Sequence, residues 1–159
     1  MRKILFFISL LSFLMSSCSS SKNIRNSKKK KTSTADKIVA NAISFKGTKY
    51  KFGGTTKKGM DCSGIVFVSF QKENIKLPRV SRNMAKQGKK ISLSKARKGD
   101  LLFFRTNKSS NRINHVGLIV SVKNKQIKFI HSTSSRGVII SSLSQKYWKN
   151  AFVKATKVL

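Results

Sequence analysis

The chain has 159 residues, and its 35 lysines and arginines outnumber four acidic residues, which gives a formal net charge of +31. A charge of this size predicts an anionic partner or surface, although lysine spread along the whole chain is equally consistent with a solvated surface. No DNA- or RNA-binding motif with interleaved aromatic residues is present, so the pattern argues against nucleic acid as the partner.

The N-terminus has the pattern of a secretory signal, which we assign to residues 1–17. Arg2 and Lys3 precede an apolar run from Ile4 to Met15, and small residues follow the run. The run is about a dozen residues long, shorter than the ~20 that an α-helix needs to cross a bilayer. We therefore expect the segment to be removed on export.

Cys18 follows Leu14-Met15-Ser16-Ser17, which resembles the lipobox of bacterial lipoproteins. The resemblance implies that Cys18 is the lipid attachment site, and Ser19 after it favours retention at the outer membrane of a diderm host. Acyl chains stabilise attachment to a membrane by ~0.8 kcal/mol per buried CH₂ group. The alternative is an ordinary signal cleaved nearby, with Cys18 an incidental thiol.

Residues 18–33 contain the run Lys28–Lys31 and few apolar residues, which predicts a solvated basic tether. The remaining residues, 34–159, have the usual size of one domain with its own core. We expect a monomer. Outside the cytoplasm, its basic surface would meet anionic lipid or the carboxylates of peptidoglycan stem peptides.

The first half of the domain predicts helices. Ser33 and Asp36 form a capping-box pattern ahead of a helix that ends before Gly47. The segment Thr48–Met60 is rich in glycine and predicts a loop that passes close to another part of the molecule. Asp61 is a favourable N-cap for a second helix.

A third, short helix is predicted between Ser81 and Gly88, and a strand pattern follows it. Helices followed by strands indicate an α+β domain, with N-terminal helices packed on a mostly antiparallel sheet of about five to six strands. The predicted strands, rich in Val, Ile and Phe, are Leu101–Phe104, His115–Val122, Gln126–His131, Gly137–Ser141 and Phe152–Lys157.

Cys62 has no disulfide partner if Cys18 carries lipid, because the chain has only two cysteines. Exported proteins usually pair their thiols, so an unpaired thiol is a candidate reactive group. The N–H groups and partial positive charge at the start of the second helix favour the thiolate form. The alternative is that Cys62 is a small buried apolar residue.

The chain also has two histidines, which a hairpin brings together. With residues 123–125 as a three-residue turn, Gly117 faces His131, and His115 is diagonal to His131 on the same face of the sheet. Diagonal neighbours lie within reach of each other, and Gly117 leaves room for the two rings. A two-residue turn would shift the register by one and separate the histidines.

In the favourable register, Cys62 is the nucleophile, His115 its base and His131 the group that orients the imidazole. The alternative for His115 is a polar residue capping a strand, and for His131 a half-buried strand residue. A metal site made of these three residues is a further alternative, but the closely spaced ligand pairs of zinc motifs are absent.

Six segments, in order along about 110 residues, resemble the NlpC family of cell-wall cysteine peptidases, which have a papain-like fold. They are GTKYKFGG (47–54), DCSG (61–64), LPRVSR (77–82), GDLLFF (99–104), HVGL (115–118) and IH (130–131). The resemblance implies catalytic Cys62 and His115, with His131 as the third polar member and no cofactor.

The resemblance also implies that Tyr50 lies beside the nucleophile, where its hydroxyl could help to bind the oxyanion, and that Ser63 lines the substrate cleft. The alternative for Tyr50 is packing against the loop glycines. Asp61 is expected to serve only as the helix cap.

The family resemblance implies hydrolysis of amide bonds in peptidoglycan stem peptides or their cross-links, by a lipoprotein of the cell envelope. One alternative is a catalytically silent peptidoglycan-binding lipoprotein that keeps the fold as a scaffold. Another is an acyltransferase or amidase that uses Cys62 on the same fold.

Overall fold

The computed structural model describes residues 32–107 and 109–159. The predicted signal segment, Cys18 and nearly all of the predicted tether lie outside these residues. Across the two described ranges, no helix has both the length and the apolar character that crossing a membrane would require.

Two helices pack together in front of the sheet. Helix α1, Thr34–Ile43, begins at the predicted capping box, in which the Asp36 N–H donates to Ser33 Oγ over 3.1 Å. Helix α2, Cys62–Gln71, has Asp61 as its N-cap, as predicted. The interior faces of both helices belong to one apolar core.

Residues 32–107 and 109–159 also contain two shorter α-helices and a 3-10 helix, Leu93–Lys95. Helix α3, Ser81–Met84, is shorter than the predicted segment that ended at Gly88. Helix α4, Lys146–Ala151, was not predicted, since it is short and no side chain caps its start.

In the part of the chain that the structure describes, eight strands form two sheets. Strands β1 (Thr55–Thr56) and β2 (Gly59–Met60) make a small hairpin inside the segment predicted as a loop. The remaining strands are β3 (Lys89–Ile91), β4 (Leu101–Phe104), β5 (His115–Lys123), β6 (Gln126–Thr133), β7 (Gly137–Ser142) and β8 (Phe152–Lys157). They pair antiparallel in the order β3-β8-β4-β5-β6-β7, which confirms the predicted α+β class.

The large sheet is buried on both faces, because its side chains alternate between two cores. Phe103 and Leu118 point toward α1 and α2. Phe104 and Phe129 point to the opposite face, where α4 covers them with Trp148. The two histidines belong to this second face.

The β5–β6 hairpin differs from its prediction in the turn but not at the histidines. Lys123 pairs with Gln126, so the turn has two residues, Asn124 and Lys125, both with positive φ. The predicted three-residue turn is therefore wrong. A β-bulge between Ile119 and Ser121 adds one residue to β5 and restores the predicted register beyond it.

Candidate active site

The thiol of Cys62 lies where helix α2 meets the start of strand β5. Asp61 caps the helix, since its Oδ1 accepts a 2.6 Å hydrogen bond from the Gly64 N–H. The thiol Sγ lies 4.0 Å from the carbonyl oxygen of Asn114, and the Val116 N–H also points to it. His115 stands between these two backbone contacts.

The environment of Cys62 favours the neutral thiol in the absence of substrate. Burial raises the pKa of the thiol, and although the N–H groups of Val116, Ser63 and Cys62 act in the opposite direction, they do not offset it. The charge of Asp61 raises the pKa further. The N–H groups at the helix start thus favour the thiolate in the direction expected from sequence, but burial outweighs them, so the thiol still needs a base.

Behind the thiol, three polar side chains form a hydrogen-bonded row. His115 Nε2 lies 3.0 Å from His131 Nδ1, and His131 Nε2 lies 2.9 Å from Ser141 Oγ. All three side chains are buried. Since Nε2 of His115 is engaged with His131, Nδ1 is the nitrogen of His115 that remains for a reacting group.

Both imidazoles are neutral at pH 7. Burial lowers the pKa of His115 to about 4. Burial lowers the pKa of His131 to about 3, with smaller contributions from repulsion by His115, once that ring is protonated, and by Arg136. A neutral imidazole is the form that accepts a proton, so His115 is in the protonation state of a general base.

Aromatic rings surround the two histidines. Trp148 stacks on His115, and Phe129 lies against His131 with the ring centroids 4.7 Å apart. A Cβ at Gly117 would lie 2.4 Å from the Phe129 ring. The space at Gly117 is thus occupied by Phe129, whereas the sequence had suggested that it accommodates the histidines.

Tyr50 lines the same cleft as Cys62 and His115. Its side chain is partly exposed, and the phenol pKa is raised by burial, by Cys62 when its thiol is ionised and by the charge of Asp61. The hydroxyl is therefore a proton donor at neutral pH. Its predicted oxyanion role remains a prediction.

Ser63 borders the cleft, but its hydroxyl bonds within the protein. Ser63 Oγ donates to Asp61 Oδ1 over 3.1 Å and accepts from Arg79 Nη1 over 2.8 Å. The side chain is buried. Its predicted contact with substrate stays a prediction.

Asp61 does more than cap α2. Arg79 donates two hydrogen bonds to its carboxylate, at 2.9 and 2.8 Å, and the Gly53 N–H donates another at 2.8 Å. Burial alone would raise the Asp61 pKa, but Arg79 and the backbone donors lower it overall. The carboxylate therefore ties the start of α2 to the glycine loop and to the segment before α3.

The cleft has two lobes that meet at Tyr50, Cys62 and Asn114, with volumes of about 590 and 510 Å³. The first lobe is bordered by Trp148 and Arg136. The second is bordered by apolar and basic side chains, namely Phe52, Val80, Ile113, Arg79 and Arg82. Within the described residues, no group of three or more His, Cys, Asp or Glu side chains is arranged to hold a metal ion.

Residues 47–157 match the NlpC/P60 family. The chain belongs to this family. A solved NlpC/P60 family protein from Bacillus cereus superposes with a TM-score of 0.72 at 27% identity, over 80% of this chain and 41% of the other. The NlpC/P60 match confirms the fold and the family predicted from the six motifs.

Among curated proteins, this NlpC/P60 chain is similar to an Escherichia coli K12 protein named Murein DD-endopeptidase MepS/Murein LD-carboxypeptidase. The two are 40% identical over 124 residues, which is 77% of this chain and 62% of the relative. A Haemophilus influenzae protein named as a probable endopeptidase is 33% identical over 96% of both chains. The chain thus spans less than two thirds of the length of the first relative and nearly the whole of the second.

Sequence patterns did not predict roles for Arg79 and Trp148 at the NlpC/P60 cleft or for Ser141 behind it. Arg79 lies in the third motif, which is a local signal for that residue. Ser141 and Trp148 gave no local signal, because a serine in a strand and a tryptophan in a short helix are ordinary. Their positions depend on pairing between distant segments.

Proposed function

We propose that this chain is a cysteine-type peptidoglycan endopeptidase, which hydrolyses amide bonds of stem peptides or of their cross-links. The observation that carries the proposal is the Cys62 thiol at a helix start, in a cleft shared with His115, whose Nε2 is held by His131. The names of the relatives support the same reaction.

In the proposed reaction, the Cys62 thiol passes its proton to His115 Nδ1 as its sulfur attacks the scissile carbonyl carbon. His115 then donates that proton to the leaving amine, the C–N bond breaks, and an acyl-enzyme remains. Water attacks the thioester while His115 accepts a proton from it. The acid product leaves, and the proton returns to the thiol.

The developing oxyanion needs donors that are already oriented. The backbone N–H groups at the start of α2 are near the thiol, and no side-chain motion is needed to present them. The Tyr50 hydroxyl is the side-chain donor that we propose for the same role. Both act in a partly enclosed cleft, where a hydrogen bond to an anion is stronger than in water.

The charge of the cleft suits an anionic peptide. Arg82 and Arg136 border opposite lobes, and neither forms an ion pair with a carboxylate in residues 32–107 and 109–159. Peptidoglycan stem peptides carry free carboxylates. We propose that these two arginines face such carboxylates when substrate is bound.

Product masses from a defined cross-linked muropeptide test the reaction type. Hydrolysis yields two fragments whose summed mass exceeds the substrate by one water molecule. Products that instead carry an added amine would indicate acyl transfer, and an unchanged substrate would indicate a silent binding protein. Either result would contradict the proposal.

We also propose that the chain is anchored through a lipid on Cys18, at the outer membrane of a diderm host. Cys18 lies outside the described residues, and the proposal is supported by the lipobox-like sequence alone. Cys18→Ser should leave the protein unlipidated and soluble in the envelope. Unchanged partitioning into detergent would contradict the anchor.

A further inference from the structure

The row of polar side chains behind Cys62 ends at Ser141, which lies beside Nε2 of His131. We propose that Ser141 is a positioning residue that keeps the proton of His131 on Nε2, and this proposal rests on the function proposed above. His131 Nδ1 is then a bare acceptor for His115. Ser141 thereby determines whether Nδ1 of His115 carries the lone pair that takes the thiol proton.

The sheet register holds Ser141 at this position. On strand β7, Ile139 pairs with His131 and Ser141 pairs with Phe129, so the serine is diagonal to the histidine on the same face. Ser141 Oγ is 2.9 Å from His131 Nε2, and Ser141 is only 5% exposed. In the described part of the chain, it is the one hydrogen-bonding partner found for Nε2.

The direction of the hydrogen bonds decides whether His115 can act. If Ser141 accepts from His131 Nε2, then His131 Nδ1 accepts from His115 Nε2, and His115 Nδ1 carries a lone pair toward the cleft. If the row runs in the opposite direction, His115 is protonated on Nδ1 and cannot accept the thiol proton. A neutral imidazole has only these two arrangements.

A hydroxyl is well suited to this place because it stays neutral and can accept the Nε2 proton. Once His115 is positively charged, both of its nitrogens donate, so His131 must carry its proton on Nε2 and Ser141 must accept it. With alanine there, the buried His131 Nε2–H has no acceptor, and the opposite tautomer becomes competitive. His115 would then lose its free lone pair in part of the population. The turnover number should fall, whereas substrate binding in the cleft should not change.

Kinetics of three variants test this role. Ser141→Ala should lower kcat about tenfold to a hundredfold with KM unchanged, because the cost is that of one unsatisfied buried hydrogen-bonding group. Ser141→Thr keeps the hydroxyl on a strand position and should restore most of kcat. Ser142→Ala is the matched control, because Ser142 bonds Ser144 rather than a histidine.

The tautomer itself can be read from ¹⁵N shifts of the imidazole nitrogens, without substrate. The chain has only two histidines, so His131→Gln assigns the signals. We expect protonated Nε2 on His131 in the wild type and in Ser141→Thr, and a mixture of tautomers in Ser141→Ala. A wild-type His131 protonated on Nδ1, or an unchanged tautomer in Ser141→Ala, would overturn the inference.

The spectra and the kinetics together distinguish a failure of the proposed peptidase function from a failure of the proposed role of Ser141. If the chain is not a peptidase, Cys62→Ala and wild type show the same lack of activity, while the tautomer result still stands. If the chain is a peptidase but Ser141→Ala keeps the wild-type kcat, only the role of Ser141 is wrong.

Discussion

The indole of Trp148 stacks on the imidazole of His115, with ring centroids 5.2 Å apart and planes inclined by 26°. The same indole meets His131 edge-on at 4.5 Å. Trp148 itself is 5% exposed, so it closes the second face of the sheet over both histidines. This cover is a main source of the burial that keeps the imidazoles neutral.

The first prediction concerns the acid limb of the pH profile. Because the pKa of His115 is lowered to about 4, kcat/KM should fall only as the pH drops through about 4. Trp148→Ala exposes the imidazole and should move the limb upward toward 6.5, the ordinary pKa of histidine. Kinetics between pH 3.5 and 8 check this, with Trp148→Phe as the variant that keeps an aromatic cover. A wild-type limb near 6.5 would disagree with the burial of His115.

The second prediction concerns stability. Both histidines have folded-state pKa values, about 4 and about 3, below the unfolded value of 6.5. The unfolded chain therefore binds more protons as the pH falls below 6.5, and stability is lost in that range. Down to pH 4.5 each histidine contributes close to two pKa units, so at 1.36 kcal/mol per unit the free energy of unfolding should drop by roughly 5 kcal/mol between pH 7.5 and 4.5.

Urea unfolding followed by fluorescence measures this drop, since Trp148 is the only tryptophan in the chain. His131→Gln removes one of the two titrating groups and should reduce the difference between the two pH values by about half. Equal unfolding free energies at pH 7.5 and 4.5 in the wild type would count against buried neutral histidines.

The third prediction concerns the ion pair that holds the start of α2. Arg79→Ala leaves the Asp61 carboxylate without its bidentate partner, and Asp61 is only 7% exposed. We expect the free energy of unfolding to fall by about 2 kcal/mol. This is less than for a fully buried ion pair, because Arg79 is partly exposed. The activity should also fall, because Cys62 is the first residue of the helix that Asp61 caps.

Arg82→Ala is the matched control for stability. It removes a nearby arginine that has no ion pair within the described residues, and the unfolding free energy should change by less than about 0.5 kcal/mol. Equal effects of Arg79→Ala and Arg82→Ala would show that the bonds to Asp61 are not stabilising.

The fourth prediction concerns specificity. Arg136→Gln removes the cation at the first lobe and should lower kcat/KM about tenfold for peptides with a free carboxylate near the scissile bond. The same variant should act normally on the amidated peptide. Arg97→Gln, which removes an equal charge outside the cleft, is the control. A loss that is the same for both peptides would exclude carboxylate recognition by Arg136.

Local features of this chain were predictable because their causes are local. The N-caps at Ser33 and Asp61 depend on residues within three positions, and both helices begin there. The predicted bounds of β4 and β8 agree with the structure, because apolar runs bounded by polar residues define them.

The parts that were not predictable depend on distant pairing. The bulge between Ile119 and Ser121 offsets the one-residue register shift that the two-residue turn introduces. The local sequence contains no pattern that predicts this bulge. The edge strand β3 is only three residues long and mostly lysine. The position of Trp148 over His115 requires α4 to return across the sheet, which only the assembled fold defines.

The most direct test of the central claim is the release of new amine termini from isolated peptidoglycan. The protein is the mature chain with Cys18→Ser, alone or combined with Cys62→Ala, and unfolding curves confirm that both are folded. We expect steady release of amines by the first protein and only background release by the second. Release that is undiminished by Cys62→Ala, or absent in both, would contradict a cysteine peptidase.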